Sequence, residues 1–315
     1  MDPLRRGYLS ALLANTLWGV FPLYFHALRP AGAVEVLAHR IVWSLIVVAL
    51  LLAVMRRWRR LRALLRDRRL LAGMTVAAVF IAVNWGVYIF AVTTDRVIEA
   101  SLGYFINPLF VVLLGVVVLR ERLRTAQWVA LGVGAVAVVV LSVDYGRLPW
   151  IALTLAASFG CYGLVKKRLG PPAAEGLFIE SAVLTLPALG YLAWLTAHHQ
   201  STFGTVSVSH SVMLAGSGLL TAVPLLLFAE AANRVPLTGL GIMQYLTPTI
   251  QLVLGVTVFG EPLPPGRLAG FAIVWCALVI FTWDALRVSR RNRAERDGAA
   301  AAEGVAAAAP VTVSE

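Results

Sequence analysis

The sequence predicts an all-α polytopic membrane protein with ten transmembrane helices in a five-plus-five inverted repeat. Three observations support this fold class. Of the 315 residues, 59% are hydrophobic and only 14% are charged, against roughly 25% charged residues in soluble domains. The apolar runs are continuous and as long as helices, which favours helices over a β-barrel with its alternating strands. Two parts of the chain also repeat each other at a nearly constant spacing.

Each predicted span is a stretch of about 20 largely apolar residues, the length that crosses a bilayer as a helix. The ten stretches are 7–28, 33–55, 72–93, 99–119, 125–143, 148–167, 177–197, 212–232, 238–259 and 265–285. The sixth and the eighth are the weakest, because the sixth ends in Lys166 and Lys167 and the eighth contains Glu230.

The basic residues predict the orientation. Of the 27 Lys and Arg residues, 22 fall at the two termini and in alternate connections, including eight Arg from Arg56 to Arg69. The positive-inside rule then places both termini in the cytoplasm of a bacterial inner membrane, which requires an even number of spans. The charge is spread over six segments, so no nucleic-acid partner is expected. The connection 56–69 is interpreted as an amphipathic topology determinant rather than a lipid or regulatory patch.

An internal repeat divides the chain. Pro108, Gly115 and Glu121 recur as Pro248, Gly255 and Glu261 at an offset of 140, and Phe90, Ala91, Arg96 and Val97 recur as Phe228, Ala229, Arg234 and Val235 at an offset of 138. Spans three and four therefore match spans eight and nine. The predicted units are residues 1–145, residues 146–286 and a basic, then Ala-rich, disordered tail at 287–315. Because each unit has five spans, the second is inverted, an arrangement common in secondary transporters.

Motifs for other functions are missing from the sequence. It has no Walker sequence, no His-Glu-x-x-His and no Gly-x-Ser-x-Gly. The two cysteines, Cys161 and Cys276, lie in apolar runs and suggest neither a disulfide nor a metal site. We therefore expect no catalytic residues, no metal and no cofactor.

Polar residues inside the spans are the default candidates for a site, because they are costly in lipid. The charged candidates for substrate binding or proton coupling are Glu35, His39, Arg40, Glu99, Glu180 and Glu230. Solvation or helix-end capping is an alternative explanation for Glu35, Glu99, Glu121 and Glu261. Arg40 has four readings: snorkelling to the surface, or pairing with Glu35, with Glu180 or with an anionic substrate. Asn15, Asn107 and Gln251 are as readily explained by bonds between helices. Paired glycines at 132 and 134, and at 216 and 218, predict close helix approach.

Two blocks carry a family resemblance: Asn-Trp-Gly-Val-Tyr at 84–88 and Glu-Ala-Ser-Leu-Gly-Tyr-Phe-Ile-Asn-Pro-Leu at 99–109. With Ala-His-Arg-Ile-Val-Trp-Ser at 38–44, Thr-Ala-Val-Pro-Leu at 221–225 and Gln-Tyr-Leu-Thr-Pro at 244–248, they resemble the RarD group of EamA-type transporters, in the drug/metabolite transporter superfamily. The resemblance covers residues 7–285. The second half departs more, since it lacks the Glu-Ala-Ser-Leu-Gly start.

The resemblance implies a ten-helix inverted fold with a central cavity, and movement of small solutes across the membrane. It also implies that spans 1, 3, 4, 6, 8 and 9 line the cavity. The expected substrate-binding residues are then Trp18, Asn84, Tyr88, Tyr104, Asn107, Tyr162, Gln244 and Tyr245.

Our hypothesis from the sequence is a secondary transporter of a small organic solute that works by alternating access. In a proton-coupled cycle, Glu230, Glu180 or the group of Glu35, His39 and Arg40 would hold the proton or a charged part of the substrate. The alternatives are a sensor or scaffold with a transporter-like fold and, less favoured, an enzyme acting on lipid. Expected partners are a small-molecule substrate and membrane lipid. Substrate, direction, coupling ion and the choice between monomer and homodimer stay open.

Overall fold

The computed structural model describes residues 2–120 and 122–308, and within them every regular element is a helix. The twelve helices of this part are α1 Pro3–Ala27, α2 Ala33–Val54, α3 Trp58–Arg66, α4 Arg68–Thr93, α5 Val97–Leu119, α6 Thr125–Tyr145, α7 Trp150–Leu169, α8 Ala173–Ala197, α9 Val208–Ala232, α10 Leu237–Gln244, α11 Leu246–Thr257 and α12 Pro265–Ala308. This confirms the predicted all-α class. Glu121, one of the repeated residues, lies outside the described residues.

The long helices are suited to a bilayer. In the described chain, nine stretches are long and apolar enough to span it, α10 and α11 counting together as Gly239–Thr257. Large apolar side chains such as Val54 (82% exposed) and Leu186 (79% exposed) face outward, where lipid rather than water would accommodate them. Helix α7, the sixth predicted span, is not among the nine. Its last turn holds three basic residues, which lower its mean hydropathy. The count of ten spans therefore stays a prediction.

The ninth predicted span is broken in two. Helix α10 ends at Gln244 and α11 begins at Leu246. Pro248 lies in the first turn of α11, where its missing N–H leaves the carbonyl of Gln244 without the usual i+4 donor. The repeat-related Pro108 lies inside the continuous helix α5, so the two halves differ at this point.

The arginine-rich connection contains the short amphipathic helix α3. Its Leu61 is buried against the bundle, and the Trp58 ring lies 5.7 Å from the ring of Phe178 in α8. Arg57 and Arg60 reach within 3.9 and 4.0 Å of the fully buried carboxylate of Glu175. The connection is therefore fixed to the start of α8.

Packing between helices follows the sequence repeat. Helix α1 packs against α9 and α11, and α7 packs against α4 and α5, so the first span of each half lies on the third and fourth spans of the other. Helix α2 packs against α8, α6 against α12 and α5 against α11, each pairing a helix with its repeat counterpart. Such pairing fits the units 1–145 and 146–286, whose boundaries stay a prediction.

The C-terminal segment differs from the disorder that the sequence predicts for 287–315. Helix α12 continues past residue 286 to Ala308. Runs of Ala, Arg and Glu have high intrinsic helix propensity, which outweighs the lack of an apolar face. Residues 309–315 lie outside the described residues.

Two ends of the bundle are used below. The arginine-rich end holds α3, the start of α1 and the ends of α7 and α9. The opposite end holds the starts of α2, α5 and α7 and the connection 198–207, which joins α8 to α9.

Candidate functional site

Arg40 lies inside the bundle, about 10 Å along α2 from its first residue at 1.5 Å per residue. Only 4% of the residue is exposed. Its Nε donates a hydrogen bond of 2.8 Å to Thr221 Oγ1 on α9. Its Cζ lies 4.1 Å from the centre of the Trp85 ring on α4 and 5.6 and 5.8 Å from the rings of Phe25 and Phe21 on α1. Side chains from three other helices, most of them aromatic, therefore surround this cation.

The charge of Arg40 is only partly compensated. Within residues 2–120 and 122–308, no carboxylate lies within ion-pair distance of it. Burying an ion costs several kcal/mol even after relaxation. A desolvated cation–π contact returns about 2 kcal/mol and a hydrogen bond from a charged donor about 1.5–3 kcal/mol. Neither contact neutralises the charge, so an anionic partner would stabilise it further.

The predicted partners of Arg40 are engaged elsewhere. Glu35, also on α2, accepts hydrogen bonds from the Thr202 backbone N–H at 2.7 Å and the Ser201 hydroxyl at 3.3 Å. His39 stacks on Phe203 with ring centres 4.8 Å apart. Glu35 and His39 share a helix face, as their spacing predicts, and that face holds the connection 198–207.

A polar network is centred on Asn84, the residue directly before Trp85 in α4. Asn84 Nδ2 donates to the Leu155 carbonyl at 3.0 Å and to Ser158 Oγ at 3.1 Å, both on α7. The Tyr104 hydroxyl approaches Asn84 Oδ1 at 3.4 Å. The rings of Tyr104 and Tyr88 meet edge to face with centres 5.7 Å apart. Asn84 therefore links the two halves while also contacting the predicted pocket.

Gln251 on α11 completes this network. Its Nε2 donates to the Tyr88 hydroxyl at 2.9 Å and to the Trp18 carbonyl at 3.2 Å. Its Oε1 is buried without a hydrogen-bond partner, as is Oδ1 of Asn107. Buried polar atoms are nearly always hydrogen-bonded. These acceptors can therefore take a donor from a bound molecule.

An aromatic row connects the site with an ion pair near the arginine-rich end. The Tyr104 ring lies 6.3 Å from Phe159, which lies 6.1 Å from Tyr162. The Tyr162 hydroxyl bonds Glu180 Oε2 at 3.3 Å, and Lys166 Nζ lies 2.8 Å from Glu180 Oε1. Glu180 is thus paired with Lys166 rather than with Arg40.

The structure does not bring all predicted site residues together. Trp18, Tyr88 and Tyr104 share one apolar cluster. Tyr245 packs against the cluster built on α5, α6 and α12, and its hydroxyl bonds Thr282. Gln244 is exposed. The prediction that these last two residues line the same pocket is untested and gains no contact here.

Glu230 lies at the arginine-rich end in an ion cluster. Its Oε1 is 3.2 Å from Arg6 Nε and 2.9 Å from Arg234 Nη2, and its side chain is 32% exposed. The carboxylate therefore already has two cationic partners near the surface.

Two buried carboxylates cap helices at the opposite end. Glu261 accepts hydrogen bonds from the N–H groups of Val97 and Ile98 at the start of α5. Glu99 accepts from Ile151 N–H at the start of α7 and pairs with Arg147 at 2.7 Å. Burial raises the pKa of Glu261, and the hydrogen bond to Glu99 raises the pKa of Arg147. Capping, the alternative weighed for these glutamates, is what the contacts show.

Sequence reasoning missed Thr221 as the partner of Arg40 and undervalued Gln251. A hydroxyl inside an apolar span is a weak signal, because it can bond its own helix, as Thr221 does to the Ser217 carbonyl. Within the described chain, no group of three or more His, Cys, Asp or Glu side chains is placed to hold a metal ion.

The fold and site define a class: a polytopic helical membrane protein with a polar, partly unpartnered site where its helices meet. The EamA-like transporter family model matches residues 5–143. Protein RarD of Streptomyces exfoliatus is 55% identical over 94% of each chain. An uncharacterized transporter of Bacillus subtilis, YojE, is 40% identical over 92% of this chain and 97% of that protein.

A solved crystal structure, 19% identical to this chain, matches with a TM-score of 0.57 and covers 91% of this chain and 98% of its own. That likeness supports the fold alone. On the sequence relatives, the chain belongs to the EamA family, within its RarD group. It is a membrane transporter of the drug/metabolite transporter superfamily, as the sequence resemblance predicts.

Proposed function

We propose that this protein is a secondary transporter that moves a small organic solute across the bacterial inner membrane by alternating access. The observation that carries the proposal is Arg40, a buried cation with no carboxylate within ion-pair distance among the described residues. A second observation is the buried Oε1 of Gln251, which has no hydrogen-bond partner in the same part of the chain. Such groups inside a membrane protein are costly and mark solute pathways. Trp18, Asn84, Tyr88 and Tyr104 surround the same region.

The contacts at the opposite end fit a closed gate. Glu261 follows α11 in the second half and holds the start of α5 in the first. Glu99 on α5 holds the start of α7 in the second half. Both contacts cross between halves, so opening this end requires them to break.

The orientation is part of the proposal. The arginine-rich end would face the cytoplasm under the positive-inside rule, with both termini on that side. The gate formed by Glu99 and Glu261 would then close the outer side, and the solute would exchange with the cytoplasm from this state.

A proton-coupled cycle would use Glu180 or Glu230. Glu180 is the better placed, because its side chain is 2% exposed and the aromatic row joins it to Tyr104. Its ion pair with Lys166 would break and re-form as the proton and solute exchange.

Counterflow in proteoliposomes tests the proposal. Purified protein is first screened in detergent for solutes that raise the apparent melting temperature, since a ligand that binds only the folded state stabilises it by mass action. Vesicles loaded with an unlabelled hit should then accumulate the labelled solute transiently, whereas protein-free vesicles should not. Binding without counterflow in vesicles of either protein orientation would contradict transport and favour the sensor reading.

A further inference from the structure

We infer that the solute is a monoanion, with a carboxylate that pairs with Arg40 and an apolar body that lies against the surrounding rings. This inference rests on the proposed function and names its substrate class. It starts from the guanidinium, which has five N–H donors. The described contacts use one of them, Nε–H, on Thr221.

Among the described residues, the carboxylates considered as partners of Arg40 are engaged elsewhere. Glu35 is held by residues 201 and 202, Glu180 by Lys166 and Glu99 by Arg147. Each of these carboxylates has partners of its own, so none is available to Arg40 without breaking a described contact. In a low-dielectric interior, a charge without a counter-ion attracts one strongly. The solute is the component that can bring it.

The site matches one negative charge better than two. Lys166, a basic side chain that the aromatic row links to the site, is paired with Glu180. A phosphate or sulfate dianion would therefore leave a net negative charge buried, whereas a carboxylate would balance Arg40. The planar guanidinium also matches the two oxygens of a carboxylate in a bidentate pair.

The remaining surroundings favour an apolar body. Phe21, Phe25 and Trp85 surround the guanidinium, and Tyr88 and Tyr104 lie close enough to interact with it electrostatically. Aromatic faces offer large apolar contact area. Gln251 Oε1 adds one acceptor for a hydroxyl or amide on that body.

The test compares acids with their amides. Acetate, hexanoate, benzoate and phenylacetate are each added to the full-length protein in detergent beside the corresponding primary amide. Stabilisation should appear with the larger acids and should exceed that of the amides at equal concentration, since stabilisation follows the ratio of concentration to Kd. Equal stabilisation by amides, or no acid-dependent shift in the wild-type protein, overturns the inference.

Variants assign the effect to Arg40. Arg40→Gln should weaken acid binding about tenfold or more, the effect of losing a charge-assisted bidentate contact, while weakening amide binding less, because an amide has no charge to pair with Arg40. Arg287→Gln, which removes one exposed charge near the middle of α12, should bind as the wild type. If Arg40→Gln does not fold, the variants Arg40→Lys and Thr221→Val are used in its place. Both should fold, and both should bind the acids more weakly than the wild type. Undiminished acid binding in the folded variants overturns the inference.

These experiments distinguish a failure of the transport proposal from a failure of the anion assignment. Counterflow of a neutral solute that persists in Arg40→Gln would overturn the anion assignment and leave the transporter standing. Arg40-dependent acid binding without counterflow would leave the anion site standing and overturn transport.

Discussion

The carboxylate of Glu261 accepts a hydrogen bond from the backbone N–H of Ile98, with 2.9 Å between Oε2 and the nitrogen. Its other oxygen accepts from Val97. These two N–H groups have no partner within α5, because the first four donors of a helix are unpaired. A side chain of the second half therefore completes a helix of the first half.

Replacing Glu261 with Gln should destabilise the folded protein. Glutamine offers one oxygen to two N–H donors, so one of them loses its acceptor. A buried donor left unpaired costs about 1–3 kcal/mol. Thermal unfolding in detergent should show a lower melting temperature. Asp95→Asn, at the same end but 51% exposed in a surface pair with Arg29, should cost less, about 0–1 kcal/mol. Equal losses would argue against the capping role.

The melting temperatures of the wild-type protein and Glu261→Gln should depend differently on pH. Burial raises the pKa of Glu261 above 4.5, and the hydrogen bonds from Ile98 and Val97 only partly oppose this. The folded state thus favours the neutral acid more than the unfolded state does. That stabilisation is fully present below the unfolded pKa and is lost as pH rises through the folded pKa. The melting temperature of the wild type should therefore approach that of Glu261→Gln as the pH rises above 4.5. If the difference between the two melting temperatures widens as the pH rises, the pKa of Glu261 is lowered in the folded protein and the prediction is wrong.

Much of the fold was predictable because membrane spans leave a strong signal in one dimension. Apolar length located α1, α2 and α4 closely, and charge marked the ends. The break at Tyr245 was not predictable from Pro248 alone, since the equivalent Pro108 lies inside a continuous helix. Neighbouring helices decide which proline interrupts the backbone, and they are not visible in the local sequence.

The site was predictable only in part. Asn84, Tyr88 and Tyr104 came from the family resemblance, and the structure places them in mutual contact. The four readings of Arg40 could not be separated, because its partners Thr221 and Trp85 lie far away along the chain. Side-chain choice between helices depends on their rotation, which periodicity in an all-apolar span does not record.

Gly218 should not tolerate a side chain. A Cβ there would lie 2.4 Å from the carbonyl carbon of Trp43, a backbone atom that cannot move without shifting α2. Gly218→Ala should therefore push α2 from α9 and cost about 1–3 kcal/mol, as overpacking does. Gly190→Ala is the matched control, because nothing lies within 4 Å of its Cβ position in α8. It should leave stability unchanged or raise it by up to about 1 kcal/mol. Melting temperatures and monodisperse yield decide; equal tolerance would contradict the close approach.

The two candidate coupling glutamates should separate by mutation. Glu180→Gln leaves Lys166 without its partner and interrupts the contact with Tyr162. If transport is proton-coupled, this variant should lose most flux and its pH response. Glu230→Gln should lose less, because that carboxylate lies near the surface between two arginines. Flux is measured in proteoliposomes with and without a pH gradient. An unchanged pH response in both variants would exclude both residues, and the reverse order would move the coupling site to the arginine-rich end.

Tyr104 and Tyr245 should behave differently when each loses its hydroxyl. Both belong to the pocket that the resemblance predicts, but only Tyr104 contacts Asn84 and Tyr88 in the structure. Its bond to Asn84 is long, at 3.4 Å, so Tyr104→Phe should change the melting temperature little, by less than the equivalent of about 1 kcal/mol. Its transport KM should nevertheless rise several-fold, because the proposed site has this hydroxyl beside the solute. Tyr245→Phe loses its bond to Thr282 on α12 and should cost stability of about 1 kcal/mol with KM unchanged. Melting curves and counterflow kinetics on the two variants give the answer. A higher KM in Tyr245→Phe alone would place the solute between α11 and α12, away from Arg40, and would contradict both the site and the anion assignment.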